Sequence, residues 1–188
     1  MLDWDELEHA CRNCQLCGLA RLRNNTVFGV GLKTADIMFV GEGPGEQEDI
    51  KGEPFVGPAG KLLDDMLSII DITRDNCYIA NIVKCRPPNN RDPQPQEQDA
   101  CIAYLRNQVA LVQPKIIVCL GRIAATRIIE PNYRITRDHG TWILRNGVWI
   151  TSLYHPSALL RDPSKRPETF EDLLEIRKKI QQLSIELK

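Results

Sequence analysis

The chain has 188 residues, 43% hydrophobic and 26% charged, a size and balance that predict one globular domain spanning residues 1–188. No stretch reaches the roughly 20 apolar residues of a membrane span, and the acidic start MLDWDELEHA lacks the basic-then-apolar order of a secretory signal; the expectation is a cytoplasmic monomer with no membrane partner. With 24 basic and 25 acidic residues the net charge is −1, which excludes a uniformly basic protein that coats nucleic acid, so any such contact must be local.

Seven cysteines are an odd number, and a reducing compartment disfavours disulfides, so a group of them reads as metal binding. Near the start, Cys14 and Cys17 form a C-x2-C pair, and Cys11-x2-Cys14 is an equally good one. The first apolar run, 36–40 (DIMFV), reads as a buried strand and is followed by the turn GEGPG. Gly41, Gly43 and Gly45 let backbone N–H groups approach a ligand, but the turn matches neither a G-x-G-x-x-G fingerprint nor a P-loop, which argues against a nucleoside triphosphate. The carboxylates beside it, Glu42, Glu46, Glu48 and Asp49, read on charge pattern as a solvated acidic loop that could hold a general base. Phe55, after Pro54 in a polar glycine-rich loop, either stacks on a flat ligand or packs beneath its own loop.

Helical periodicity covers 59–70, and a second buried strand covers 77–83 (CYIANIV). The proline- and asparagine-rich 86–95 (RPPNNRDPQP) must be a loop, flanked by Cys85 and Cys101, with fifteen residues between these thiols. A helix follows at 96–111, a strand at 115–120 (KIIVCL) and a helix at 122–129. Cys77 and Cys119 lie inside apolar strands and read as small core residues. Asn146-Gly147 between apolar runs in 142–150 predicts a type I′ hairpin leading into the strand 148–153. His155, one of three histidines, follows that strand, and a last helix is expected over 168–187.

Strands alternating with helices predict a three-layer α/β/α fold with a central four-stranded parallel sheet and an added hairpin. The turn after 36–40, the loop after 77–83 and His155 all fall at carboxyl ends of parallel strands, where open sheets bind ligands, so one site built by three loops is expected. A thiolate pair plus two distant thiolates suits zinc or an iron-sulfur cluster; spacing does not choose between them.

With these pieces together, the sequence resembles the family 4, iron-sulfur uracil-DNA glycosylases. GEGPGEQEDIKGEPFVGPAGKLLD, YIANIVKCRPPNNR and HPSALLR look like that family's three diagnostic segments, in order, from about Cys14 to the last helix. The resemblance implies an enzyme that hydrolyses the N-glycosidic bond of deoxyuridine in DNA, releasing uracil and initiating base excision repair. It implies Cys14, Cys17, Cys85 and Cys101 as ligands of a [4Fe–4S] cluster, with Cys11 an extra thiol. It further implies that Glu42, Gly43 and Pro44 border the uracil, Phe55 stacks on it, Asn81 reads its edge and His155 faces its O2. A glycosylase must flip its nucleotide out of the duplex to reach the bond it attacks. Asn81 can accept from uracil N3–H and donate to O4, a pattern cytosine reverses, which allows discrimination by about 10⁴.

Thymine must be excluded by bulk, and Glu48 is the candidate wall. Other glycosylases often carry an Asp in the first motif where this chain has Gly43, which leaves the water-positioning group open among Glu42, Glu48 and Asn90. After His155, the leucines Leu159 and Leu160 and the cations Arg161, Lys165 and Arg166 suit a wedge that fills the gap of a flipped base and holds flanking phosphates; the alternative is a core helix with solvated cations. Relatives that become covalently trapped on uracil-DNA carry a basic, histidine-containing insertion between the third and fourth cluster cysteines, and 86–100 here has none.

Overall fold

The computed structural model describes residues 2–187. In chain order the elements are α1 (Trp4–Arg12), β1 (Val30–Gly31), β2 (Ile37–Gly41), α2 (Glu46–Lys51), α3 (Pro58–Ile69), β3 (Tyr78–Asn81), α4 (Pro95–Val112), β4 (Ile116–Leu120), α5 (Arg122–Ile128), α6 (Ile135–Asp138), β5 (Ile143–Arg145), β6 (Val148–Leu153), α7 (Pro156–Arg161) and α8 (Arg166–Gln182). Short 3₁₀ turns occupy Gly18–Arg21, Pro88–Asn90 and Pro163–Lys165.

The sheet runs β1-β3-β2-β4-β6-β5. Its four central strands are mutually parallel, with Phe39 opposite both Ile79 and Val118, and Val118 opposite Thr151. β5 joins antiparallel to β6 through Asn146 and Gly147, both at positive φ, as a type I′ turn requires. The four-stranded parallel sheet and hairpin are thus as the sequence predicts. β1 is an addition: two residues pair antiparallel with β3, too few to carry a period. A side chain at Gly31 would lie 2.1 Å from the Cys77 carbonyl oxygen, so glycine permits that pairing.

Every residue of β2 and β4 is buried, because alternate side chains enter different cores. Ile37 and Phe39 pack with Leu63, Leu67, Leu173 and Ile176 under α3 and α8. Met38 and Val40 pack with Ile102, Leu105 and Ala124 under α4 and α5. Each such side chain contributes about 1.5–3 kcal/mol on burial, which is why the strands read as unbroken apolar runs. A smaller cluster of Leu7, Cys11 and Phe28 seats α1 against the α4 side, and a capping box between Asp3 and Glu6 starts that helix.

Two readings of the sequence need correction here. The acidic stretch after GEGPG is a helix, α2, and its Asp49 is 1% exposed, accepting from the backbone N–H of Asn24 at 2.9 Å and from its side-chain amide at 2.6 Å. Leu159 is also 1% exposed, packed in the core beneath α7. It cannot enter DNA without leaving that core, so the wedge reading fails for Leu159 and leaves Leu160, which is 41% exposed.

Candidate active site

The carboxyl ends of β2, β3, β4 and β6 open into a cleft of about 520 Å³, within the range of small-molecule pockets. It is lined by Glu42, Gly43 and Pro44 from the turn after β2, Phe55, Asn81, and His155 after β6, so the three sequence segments do build one site. Asn90 and Arg161 also reach it, as do Asp92, Arg122 and Tyr154, which the sequence did not single out.

Asn81 ends β3 and is 2% exposed, and its Oδ1 is one of three buried side-chain oxygens with no partner among the described residues. An unmet buried acceptor costs about 1–3 kcal/mol, so a ligand donor arriving there is strongly favoured. Its neighbours depend on Gly41: a Cβ there would lie 2.4 Å from Asn81 Oδ1 and 2.6 Å from Phe55 Cζ. Glycine at the end of β2 therefore lets the amide and the aromatic ring meet.

Phe55 has φ +54, a strained value for a bulky residue, and is held there from two sides. Glu48 Oε1 accepts from the N–H groups of Val56 at 2.9 Å and Gly57 at 3.0 Å. Arg74 donates to the carbonyls of Pro54, at 2.9 Å, and Phe55. Gly60 completes the clamp, since a Cβ there would overlap the Phe55 carbonyl at 1.8 Å. Glu48, expected as a wall or a water-positioning group, lines the cleft and braces the aromatic loop through Oε1. Arg74, which also pairs with Asp64 at 2.7 Å, was not legible because it grips the loop through backbone oxygens.

The Phe55 and His155 rings lie 5.7 Å apart and 28° from parallel. His155 caps α7: its Nδ1 accepts from the Ser157 N–H at 3.1 Å and pairs with Ser157 Oγ at 2.8 Å. Accepting at Nδ1 places the proton of the neutral ring on Nε2. Burial, with nearby Arg161, pushes the imidazole down to about 4, so it is a neutral Nε2–H donor at pH 7. Gly121 at the end of β4 makes room for it, since a Cβ there would sit 2.7 Å from His155 Cβ.

Glu42 is half-buried, and burial together with neighbouring Asp92 pushes its carboxyl up to about 7, against the opposing pull of Arg122 and Arg161. Asp92 is ion-paired with Arg122. Asn90 is exposed, and its Oδ1 accepts from Arg86 Nε at 2.8 Å. Of the predicted cations, Lys165 pairs with Glu168 at 3.2 Å and lies over Tyr154, Arg166 donates to the Leu159 carbonyl at 3.4 Å, and Arg161 lines the cleft.

Beyond the segment 83–87, Cys14, Cys17, Cys85 and Cys101 line one cavity, which Cys11 also borders. All seven cysteines are free thiols, and Cys77 and Cys119 lie in the strand cores as expected. Among the described residues no three His, Cys, Asp or Glu side chains are grouped to hold a single metal ion. The sulfurs are addressed by donors: Arg23 reaches Cys85 Sγ at 3.4 Å and the Cys14 carbonyl at 2.8 Å, and the Lys84 N–H reaches Cys101 Sγ at 3.3 Å. Four thiols around one space, met by N–H groups and a guanidinium, fit a thiolate-ligated cluster. The Arg91–Glu97 pair, at 2.8 and 2.7 Å, ties this cavity's wall to the rim of the cleft.

A family model described as Uracil DNA glycosylase superfamily matches residues 28–179. A protein of Archaeoglobus fulgidus named Type-4 uracil-DNA glycosylase is 42% identical over 186 residues, covering 92% of this chain and 90% of its own. Proteins of the same name from Sulfurisphaera tokodaii and Thermotoga maritima are 42% and 44% identical, covering 96% and 81% of this chain and 84% and 81% of theirs. No helix among the described residues is long and apolar enough to cross a membrane.

Proposed function

The chain belongs to the uracil-DNA glycosylase superfamily, and from that premise we propose that it hydrolyses the N-glycosidic bond of deoxyuridine in DNA, releasing uracil and leaving an abasic site for base excision repair. The observation that carries this reading is Asn81 Oδ1, a buried acceptor without a partner on the wall of a cleft that also holds Phe55 and His155. Uracil N3–H meets that acceptor, and the amide NH2 donates to O4; cytosine would set acceptor against acceptor. Phe55 supplies a ring face in place of the stacking lost when the nucleotide leaves the duplex.

As the bond from C1′ to N1 breaks, its electron pair goes to uracil and the sugar gains positive character. His155, neutral with its proton on Nε2, donates to O2, where negative charge develops; such a donor is worth about 3 kcal/mol. It need not transfer that proton. Water adds at C1′, and its proton passes to Glu42, whose raised affinity for protons suits a base working near neutrality. Glu48 positions Phe55 in this scheme, and Asn90 lies on the rim.

Cys14, Cys17, Cys85 and Cys101 would hold a [4Fe–4S] cluster, which would supply structural cross-linking among α4, the segment after β3 and the amino-terminal segment; hydrolysis transfers no electrons. Arg161 and Leu160 lie at the DNA side, Arg161 for a phosphate and Leu160 against the opened stack. The cysteine-rich composition suits the reducing cytoplasm, and action as a monomer is part of the same reading. The test is turnover on DNA with a single deoxyuridine. Repeated release of free uracil is expected; a protein–DNA adduct or no product would sink the reading.

A further inference from the structure

Lys84 is a buried cation that the cleft does not use. It stands between Val83 and Cys85, its side chain is 1% exposed, and it lines the thiol cavity. Its ammonium donates to Gln108 Oε1 at 2.6 Å, and no carboxylate pairs with it among the described residues. Gln108 is locked in this orientation, because its Nε2 donates to the Phe28 carbonyl at 2.9 Å and to Tyr78 Oη at 3.1 Å. The Lys84 backbone N–H meets Cys101 Sγ at 3.3 Å, and Cys101 and Cys11 line the same cavity as Lys84.

A buried ammonium held by one neutral amide is costly, and an apolar side chain of similar length would fill the same space without that cost. The position makes physical sense when an anion occupies the cavity, and a cluster ligated by four thiolates is a net anion. Resting on the cluster reading above, we infer that Lys84 is the buried counter-ion of the cluster, with Arg23 as the partly exposed one, and that it sets how tightly the cluster is retained and how readily it is reduced. Removing a buried positive charge disfavours the more negative, reduced state, so the reduction potential must fall.

The experiment compares anaerobically purified holoprotein of wild type, Lys84→Met, Gln108→Glu and Arg106→Gln. Iron per chain, midpoint potential by voltammetry and the rate of iron loss to a chelator are measured. Lys84→Met is expected to shift the potential to more negative values and to speed iron loss several-fold. Gln108→Glu neutralises the ammonium in place by giving it a carboxylate, and is expected to shift the potential the same way; it keeps the test intact if Lys84→Met does not fold. Arg106→Gln removes an exposed, solvent-screened charge and is expected to change neither quantity. Wild-type potential and iron loss in the Lys84 and Gln108 variants overturn the counter-ion role. Wild-type protein that carries zinc or no iron overturns the cluster reading itself, and the two failures are distinguishable by metal content alone.

Discussion

The cleft and the thiol cavity flank the same segment, 83–87, yet they treat polar groups in opposite ways. In the cavity the sulfurs meet N–H donors from Lys84 and Arg23, and the wall is braced by Arg91 and Glu97. In the cleft Asn81 Oδ1 is left open, Phe55 is forced to positive φ, and Glu42 is held where its charge is unwelcome. The cleft holds unfavourable terms that the surrounding structure must bear, and of these the open Asn81 acceptor is the one a ligand donor would meet. Damage to the cavity should therefore cost stability and activity together, whereas damage to the cleft should cost activity alone and in places raise stability.

The largest expected effect is from Cys85→Ala, which removes a ligand: iron content should fall well below four per chain, with loss of most soluble, folded protein, read by metal analysis and thermal melting. A variant that melts like wild type without iron would break the contrast. Next, Asn81→Asp should lower uracil excision by about 10²–10³-fold and weaken discrimination against cytosine, with little change in melting temperature. If it keeps wild-type rates and still ignores cytosine, Asn81 does not read the base edge. His155→Ala should cost about 10²-fold in single-turnover rate, with KM less affected.

A sharper test uses pH. The Glu42 carboxyl is raised from 4.5 to about 7 in the folded chain, so ionising it opposes folding: the penalty is absent below 4.5, grows as pH rises and is complete above 7. Glu42→Gln should raise the melting temperature at pH 8 and leave it unchanged at pH 4. The same substitution should also remove the rise in excision rate through pH 7 that a base of this kind gives. A wild-type rate profile that is flat there would assign the water to another group. The smallest effect is expected at Leu160, where alanine should leave stability intact and slow uracil release from duplex more than from single-stranded DNA. Leu159→Ala, by contrast, should cost about 2–5 kcal/mol of stability and slow both substrates alike.

Much of the scaffold was legible because buried parallel strands are continuous apolar runs and because Asn146-Gly147 specifies its turn. β1 and α6 were not, since two and four residues without a sustained period leave no signal, and α1 was legible only through its Asp3–Glu6 capping box. Leu159 and Leu160 show how a doublet misleads: once His155 caps the helix and Pro156 begins it, successive residues point about 100° apart, so one enters the core and the next faces solvent. In the site, Phe55 and His155 stood out by type and place, whereas Asn81 entered only through the family resemblance. The bracing role of Glu48 and that of Arg74 were not legible, because both hold the Phe55 loop through backbone atoms brought near only by the fold.

The Asn146-Gly147 turn lies at the amino end of β6, whereas the cleft opens at the carboxyl end of that strand. A side chain added at Gly147 would meet nothing within 4 Å, though it would strain a backbone held at φ +81. The loop can instead be lengthened, which frees the backbone from that turn. A cysteine-free tag inserted there for surface tethering or a fluorescent reporter would leave the cleft facing outward, so an immobilised enzyme could still engage a long DNA.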